Sequence, residues 1–222
     1  MKLLVSLIYI SSLLHACSNN SPTKSENMIQ QPDIILLVHN NDIEAVRTAL
    51  RNGVNVNTQD KNKQSLLLIA TVNQQTEMAK LLVSHGGDVN LQDNKLDSPF
   101  LYAGASGQTE LVKLYLRNGA RFDIFNRYNG TALIPACERG HVETVKVLAE
   151  TENFPINHVN RLGWTALMEA VILGDGSKRY QEIVQILKDN GADLDIPDRK
   201  GITPLQHAQK MGFKEIAGIL QP

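Results

Sequence analysis

Residues 131 to 148, TALIPACERGHVETVKVL, carry the pattern that decides the fold. Thr131 is placed to cap a helix of about two turns ending near Glu138, and Gly140 breaks the chain. Glu143 then opens a second helix that turns Val145 and Leu148 inward. Each helix of such a pair has a single apolar face, and the unit is too short to cover both. It must stack on copies of itself, so internal repetition is the first thing to seek.

Three columns repeat along the chain. Helix-start hydroxyls fall at Ser65, Ser98, Thr131, Thr165 and Thr203, at spacings of 33, 33, 34 and 38 residues. An acidic residue expected in the first turn of each second helix falls at Glu44, Glu77, Glu110, Glu143, Glu182 and Glu215. There it can reach back to the capping N–H and meets the positive end of the helix dipole. The second helices end at Asn52-Gly53, His85-Gly86, Asn118-Gly119 and Asn190-Gly191, because glycine accepts the left-handed conformation that a helix end needs.

The segments SPFLYAGASG from Ser98, TALIPACERG from Thr131, TALMEAVILG from Thr165 and TPLQHAQKMG from Thr203 resemble the ankyrin repeat. The resemblance runs from Pro32 to the C-terminus and implies an all-α solenoid of about six helix-turn-helix units with short hairpin turns. The family's signature histidine is replaced by Leu68, Leu101, Ile134, Met168 and Gln206, and its turn glycine by Lys63 and Leu96 in two units. GHVETVKVL followed by GWTALMEAVILGDG is similar to a bacterial branch of the family, the YahD type.

Composition agrees with helices packed through Leu, Val and Ala, at 42% hydrophobic and only 5% aromatic residues. Lys plus Arg number 22 against 23 acidic residues, and no basic run occurs, which argues against a nucleic-acid partner. Residues 1–17 differ in kind. Lys2 precedes an apolar segment from Leu3 to Leu14, too short to span a bilayer, and Ala16-Cys17 follows, as in a secretory signal. LLHAC resembles the lipobox of bacterial lipoproteins, with His15 a departure. The resemblance implies lipidation at Cys17, export, and a membrane contact through that anchor alone, at the outer membrane in a Gram-negative cell. Cleavage nearby by general signal peptidase would instead give a soluble periplasmic or secreted protein. Residues 18–31 are polar and aperiodic, a tether with a reach of roughly 20 Å.

The remaining chain divides into a capping unit at 32–59, repeats at 60–92, 93–125, 126–159 and 160–197, and a C-terminal cap at 198–222. Two irregularities interrupt the period. Thr151-Glu152-Asn153 replaces a helix-ending glycine, and GDGSKRY from Gly174 adds five residues, an excursion expected on one face and at the margin of any binding surface.

No constellation supports catalysis. Cys137 occupies a small buried position, and the remote reading as a nucleophile with His141 lacks an exposed, electropositive setting. His39, His85, His141, His158 and His207 show no metal-ligand spacing, GDGS lacks the lysine of a phosphate loop, and no metal or cofactor is expected. What remains is a surface. In the ankyrin family the turn tips and the exposed side of each first helix line a concave face that binds other proteins. Carried over by position, that face takes Arg127, Tyr128, Glu138 and Arg139 from the fourth unit, and Arg161, Leu162, Trp164, Glu169, Ile172 and Leu173 from the fifth. Trp164 and Tyr128 are the expected hot spot. The expectation is a monomeric, non-enzymatic module binding another cell-envelope protein. The alternative is a structural or protective partner of an envelope enzyme without an adaptor role.

Overall fold

The computed structural model describes residues 33–221. The signal-like segment, Cys17 and the polar linker lie outside the described residues. Twelve helices follow in six pairs: α1 (Ile34–His39) and α2 (Ile43–Arg51), α3 (Leu66–Val72) and α4 (Thr76–Ser84), α5 (Pro99–Ala105) and α6 (Thr109–Arg117), α7 (Leu133–Glu138) and α8 (Val142–Ala149), α9 (Ala166–Ile172) and α10 (Lys178–Asp189), α11 (Pro204–Met211) and α12 (Lys214–Ile219). First helices stack on first helices and second on second. One continuous apolar core runs through the array, from Val38 and Val46 through Leu67, Val112 and Leu148 to Ile183 and Ile216. The fold is therefore the all-helical solenoid that the columns predict.

Four of the five helix-start hydroxyls cap as expected. Ser65, Ser98, Thr165 and Thr203 accept from the N–H groups of Leu68, Leu101, Met168 and Gln206 at 3.1, 3.2, 3.1 and 3.3 Å. Thr131, in the unit that reads most clearly, does not. Its hydroxyl is buried with no partner, and α7 begins two residues later. The cause is Pro135. In the other four units the residue four beyond the cap donates to the cap's carbonyl: Ile69 to Ser65, Tyr102 to Ser98, Glu169 to Thr165, His207 to Thr203. Proline has no N–H to give, and its ring crowds the carbonyl four residues back. A difference in sign between equivalent positions follows. In urea denaturation Thr131→Val should raise stability by about 1 kcal/mol, since it removes an orphaned buried hydroxyl at constant shape. Ser65→Ala should lower it by about 1 kcal/mol.

The turn tips share one construction. Asp60, Asp93, Asn126, Asn160 and Asp198 each accept with Oδ1 from the N–H groups two and four residues on. The residue three beyond each lies at positive φ. Lys63 and Leu96 take this conformation at +61° although neither is glycine, so the missing turn glycines leave the hairpin geometry unchanged. The carboxylate or amide two hydrogen bonds deep holds the strained residue in place.

Two expectations need correction. None of the acidic column reaches back to a capping N–H. Glu44, Glu77 and Glu110 instead pair with Arg47, Lys80 and Lys113 one turn on. Glu182 is not in a first turn at all, because the added residues extend α10 at its N-terminus to 12 residues. The insert is also less of an excursion than its length suggests. Tyr180 is buried and donates its hydroxyl to the Glu138 carbonyl at 2.8 Å, and the Phe213 ring packs against Gly176. At the other irregularity Asn153 supplies the positive φ that glycine gives elsewhere.

A column not singled out in the sequence ties unit to unit. Asn57, Asn90 and Asn157 accept with Oδ1 from the N–H groups of Asp88, Arg121 and Asp193 in the following unit. Asn90 and Asn157 also donate to the carbonyls of Gly119 and Gly191. The step of 33 from Asn57 to Asn90 was its visible signal.

Candidate partner-binding surface

The tips and first helices of the fourth and fifth units enclose a recess of about 340 Å³. Unit four contributes Asn126, Arg127, Tyr128 and Gly130 from its tip, then Ile134, Pro135, Glu138 and Arg139 from α7 and its end. Unit five contributes Asn160 and Leu162 from its tip and Glu169 and Leu173 from α9 and its end. Smaller recesses continue the line toward the N-terminus. One of about 120 Å³ shares Arg127, Tyr128 and Glu138 and adds Asp97 and Tyr102. The next, of about 170 Å³, shares Asp97 and Tyr102 and adds Gln64 and Lys95.

Of the ten residues expected on this face, Arg127, Tyr128, Glu138, Arg139, Leu162, Glu169 and Leu173 are brought together in the recess between units four and five. Trp164, Arg161 and Ile172 do not line it. Trp164 is half-buried, and its main chain closes the tip through reciprocal bonds with Asn160 at 3.0 and 3.1 Å. Arg161 clamps tip to tip, donating from its backbone to the Tyr128 carbonyl at 2.9 Å and from its guanidinium to the Arg127 carbonyl at 3.1 Å. Arg199 makes the corresponding bond to the Arg161 carbonyl. The apolar rim is Tyr128, Leu162 and Leu173, which are 54%, 49% and 45% exposed.

Glu169 is the residue whose place the sequence did not disclose. Expected as a surface group, it is only 4% exposed and forms part of the recess wall. Asn160 Nδ2 donates to its Oε1 at 2.7 Å. The described residues give Oε2 no donor. Burial, then the Glu138 charge, pushes its carboxyl up to about 7 against the opposing pull of Asn160. The arginines nearby are committed elsewhere. Arg127 pairs with Asp97 at 3.3 Å and lies 5.2 Å from the centre of the Tyr128 ring. Arg139 donates to the Ala105 carbonyl at 2.6 Å. The same turn-to-helix link recurs one unit on with other chemistry, His207 Nε2 lying 2.9 Å from Asp198 Oδ2.

The cysteine and histidine of α7 and its end do not form a reactive pair. Cys137 is fully buried, and burial followed by the Glu169 charge pushes its thiol well up. No hydrogen bond joins it to His141 among the described residues. Burial and the Arg139 charge lower the His141 imidazole, whose ring sits against Gly107. At the insert, Asp175 Oδ1 accepts the Ser177 N–H at 2.9 Å, so an acidic group already holds the donor that an anion would need. Among the described residues no cluster of His, Cys, Asp and Glu could hold a metal ion, and no helix is long and apolar enough to cross a membrane.

Stacked helix pairs joined by uniform tips, with a lined recess across two of them, define a helical-repeat solenoid. Within that class the chain belongs to the ankyrin repeat family, whose model, ankyrin repeats (3 copies), matches residues 34–126 and 100–198. The YahD ankyrin repeat protein of Escherichia coli (strain K12) is 45% identical over 94 residues, 42% of this chain and 47% of that protein. The match thus spans about half of that curated relative. An ankyrin repeat domain from Acinetobacter baumannii AYE is 44% identical with a TM-score of 0.82, covering 84% of this chain and 95% of the other. The ankyrin repeat protein EF0377 is 40% identical over the same shares, also at 0.82.

Proposed function

We propose that this protein is a non-enzymatic binding module that grips another protein across the tips and first helices of its fourth and fifth units. The observation that carries the reading is the recess itself. Three exposed apolar side chains, Tyr128, Leu162 and Leu173, ring a cavity with a buried carboxylate in its wall. Aromatic and apolar anchors around a desolvated polar group are the composition of an interface centre. Membership of the ankyrin family supports the same role. The apolar segment Leu3 to Leu14 and the Ala16-Cys17 ending support an exported, lipid-anchored protein, so the proposed partner is a protein of the cell envelope.

Photo-crosslinking in intact cells tests this. A photoreactive side chain at position 128 or 162 of the full chain should capture one specific protein, and the same group at the exposed Lys80 or the partly exposed Lys113, on the second helices, should not. Equal capture from both faces, or none from 128 and 162, would remove the reading.

A further inference from the structure

The recess between units four and five has a charge arrangement that the free chain does not complete. Both carboxylates in it, Glu138 and Glu169, lack an ion-pair partner among the described residues, while of the two arginines at its edge Arg127 pairs with Asp97 and Arg139 turns back to the Ala105 carbonyl, both in the preceding unit. An anion entering here would find both guanidinium groups turned toward the preceding unit and would face two carboxyl groups without cationic partners. A cation would meet Glu169 Oε2, to which the described residues give no donor, on a mostly buried side chain where the attraction is less screened than at the open surface.

We propose that this recess receives the charged end of a partner's lysine or arginine side chain, with Glu169 as its counter-ion. The inference rests on the binding-module reading and names the chemistry of its partner. Tyr128, Leu162 and Leu173 suit the rest of such a side chain: its methylene stem lies along apolar surface while the charged head reaches the carboxylate. Asn160 holds Glu169 through Oε1, leaving Oε2 for the incoming N–H donor. Of the two smaller recesses, the nearer shares residues with this one and the farther shares Asp97 and Tyr102 with the nearer. That row suits an extended segment of the partner crossing several tips, with the basic residue in the recess between units four and five.

The test uses three defined probes with the full chain: the Nα-acetyl amides of lysine, arginine and norleucine. NMR titration follows the Asn160 side-chain amide and the Tyr128 ring. The cationic probes should bind at least about tenfold more tightly than the neutral norleucine compound, and Glu169→Gln should abolish the difference, since charge-assisted bonds outweigh neutral ones. Norleucine binding as tightly as lysine, a cation preference unchanged in Glu169→Gln, or acetate shifting the same signals more than the lysine probe would each overturn the inference. The crosslink from position 128 separates this from the broader reading. If it persists undiminished in Glu169→Gln while the probes show no charge preference, the cation inference falls and the binding module stands. If the crosslink is absent, the module reading falls, and the probe titration still decides what the recess selects.

Discussion

Glu169→Gln should make the protein more stable above neutral pH, by an amount on the order of 2 kcal/mol, and should change little in mild acid. The carboxyl is held at about 7 in the folded chain against an ordinary 4.5. Below about pH 4.5 it is protonated whether the chain is folded or not, and contributes nothing to the pH dependence. As pH rises from there to 7, the unfolded chain gives up its proton and the folded chain keeps it, so stability is lost across that window. Above 7 the loss is complete. Glutamine still offers an acceptor to Asn160 but has no charge to desolvate, so the gap between variant and parent should open between pH 4.5 and 7 and then level off. Around Glu169 the ionisable groups are Glu138 and Cys137 on α7 and Arg127 and Arg139 at the recess edge. On the neighbouring helices they include Tyr180, Lys210 and the His207–Asp198 pair. All of these are present in both proteins and cancel to first order in the difference. Urea midpoints at four or five pH values are sufficient. A difference that is flat with pH would mean that the carboxylate is well solvated and the cation pocket has no desolvated counter-ion.

This cost has no return within the free chain. Glu169 weakens the fold at the pH where it is charged, and the one hydrogen bond that its carboxylate accepts among the described residues, from Asn160, remains open to glutamine. A binding partner that brings a cation would recover what burial costs, which is the energetic form of the proposal made above.

The solenoid was legible because its determinants are local and repeated. A glycine after Asn52 or Asn118 needs only its own neighbours to end a helix, and Gly53 and Gly119 take φ of +88° and +82°. The recess was less legible because it forms between units. Glu169 lies four residues beyond a cap, in a column whose other members are Ile69, Tyr102, Pro135 and His207. A glutamate among ring and aliphatic side chains was a signal, but its burial depends on how the tip carrying Asn160 folds over it. Trp164 lies outside the recess for a related reason: its main chain closes the tip on Asn160, and the residue is half-buried there. Pro135 shows that a good match to a repeat pattern can hide a broken bond. The motif contains the proline, and only the cap four residues earlier feels it.

The largest loss should come from Tyr115→Ala, on the order of 4 kcal/mol. Tyr115 is completely buried in α6 and stands where α4 has Leu82 and α8 has Leu148. Its hydroxyl meets Thr71 Oγ1 at 2.7 Å. Thr71 gives its one proton to the Leu67 carbonyl at 2.7 Å, so Tyr115 donates and both buried hydroxyls are satisfied. Burial holds the phenol above its ordinary range, so it stays neutral under all mild conditions. Truncation would empty a ring-sized cavity and leave Thr71 without its donor. The consequence reaches beyond the site, because units in an array are held by their neighbours and the third unit joins two below to three above. Weakening it should uncouple the ends. Trp164 is the single tryptophan and reports on the fifth unit, whereas far-ultraviolet circular dichroism averages over every helix. In the parent protein the two urea curves should coincide. In Tyr115→Ala they should separate, with the helix signal beginning to fall first, as the N-terminal side melts. Tyr115→Phe keeps the ring and should cost only about 1 to 2 kcal/mol, with the curves still together. Coincident curves in the alanine variant, or a loss no larger than the phenylalanine one, would mean that Tyr115 does not couple the two halves of the stack.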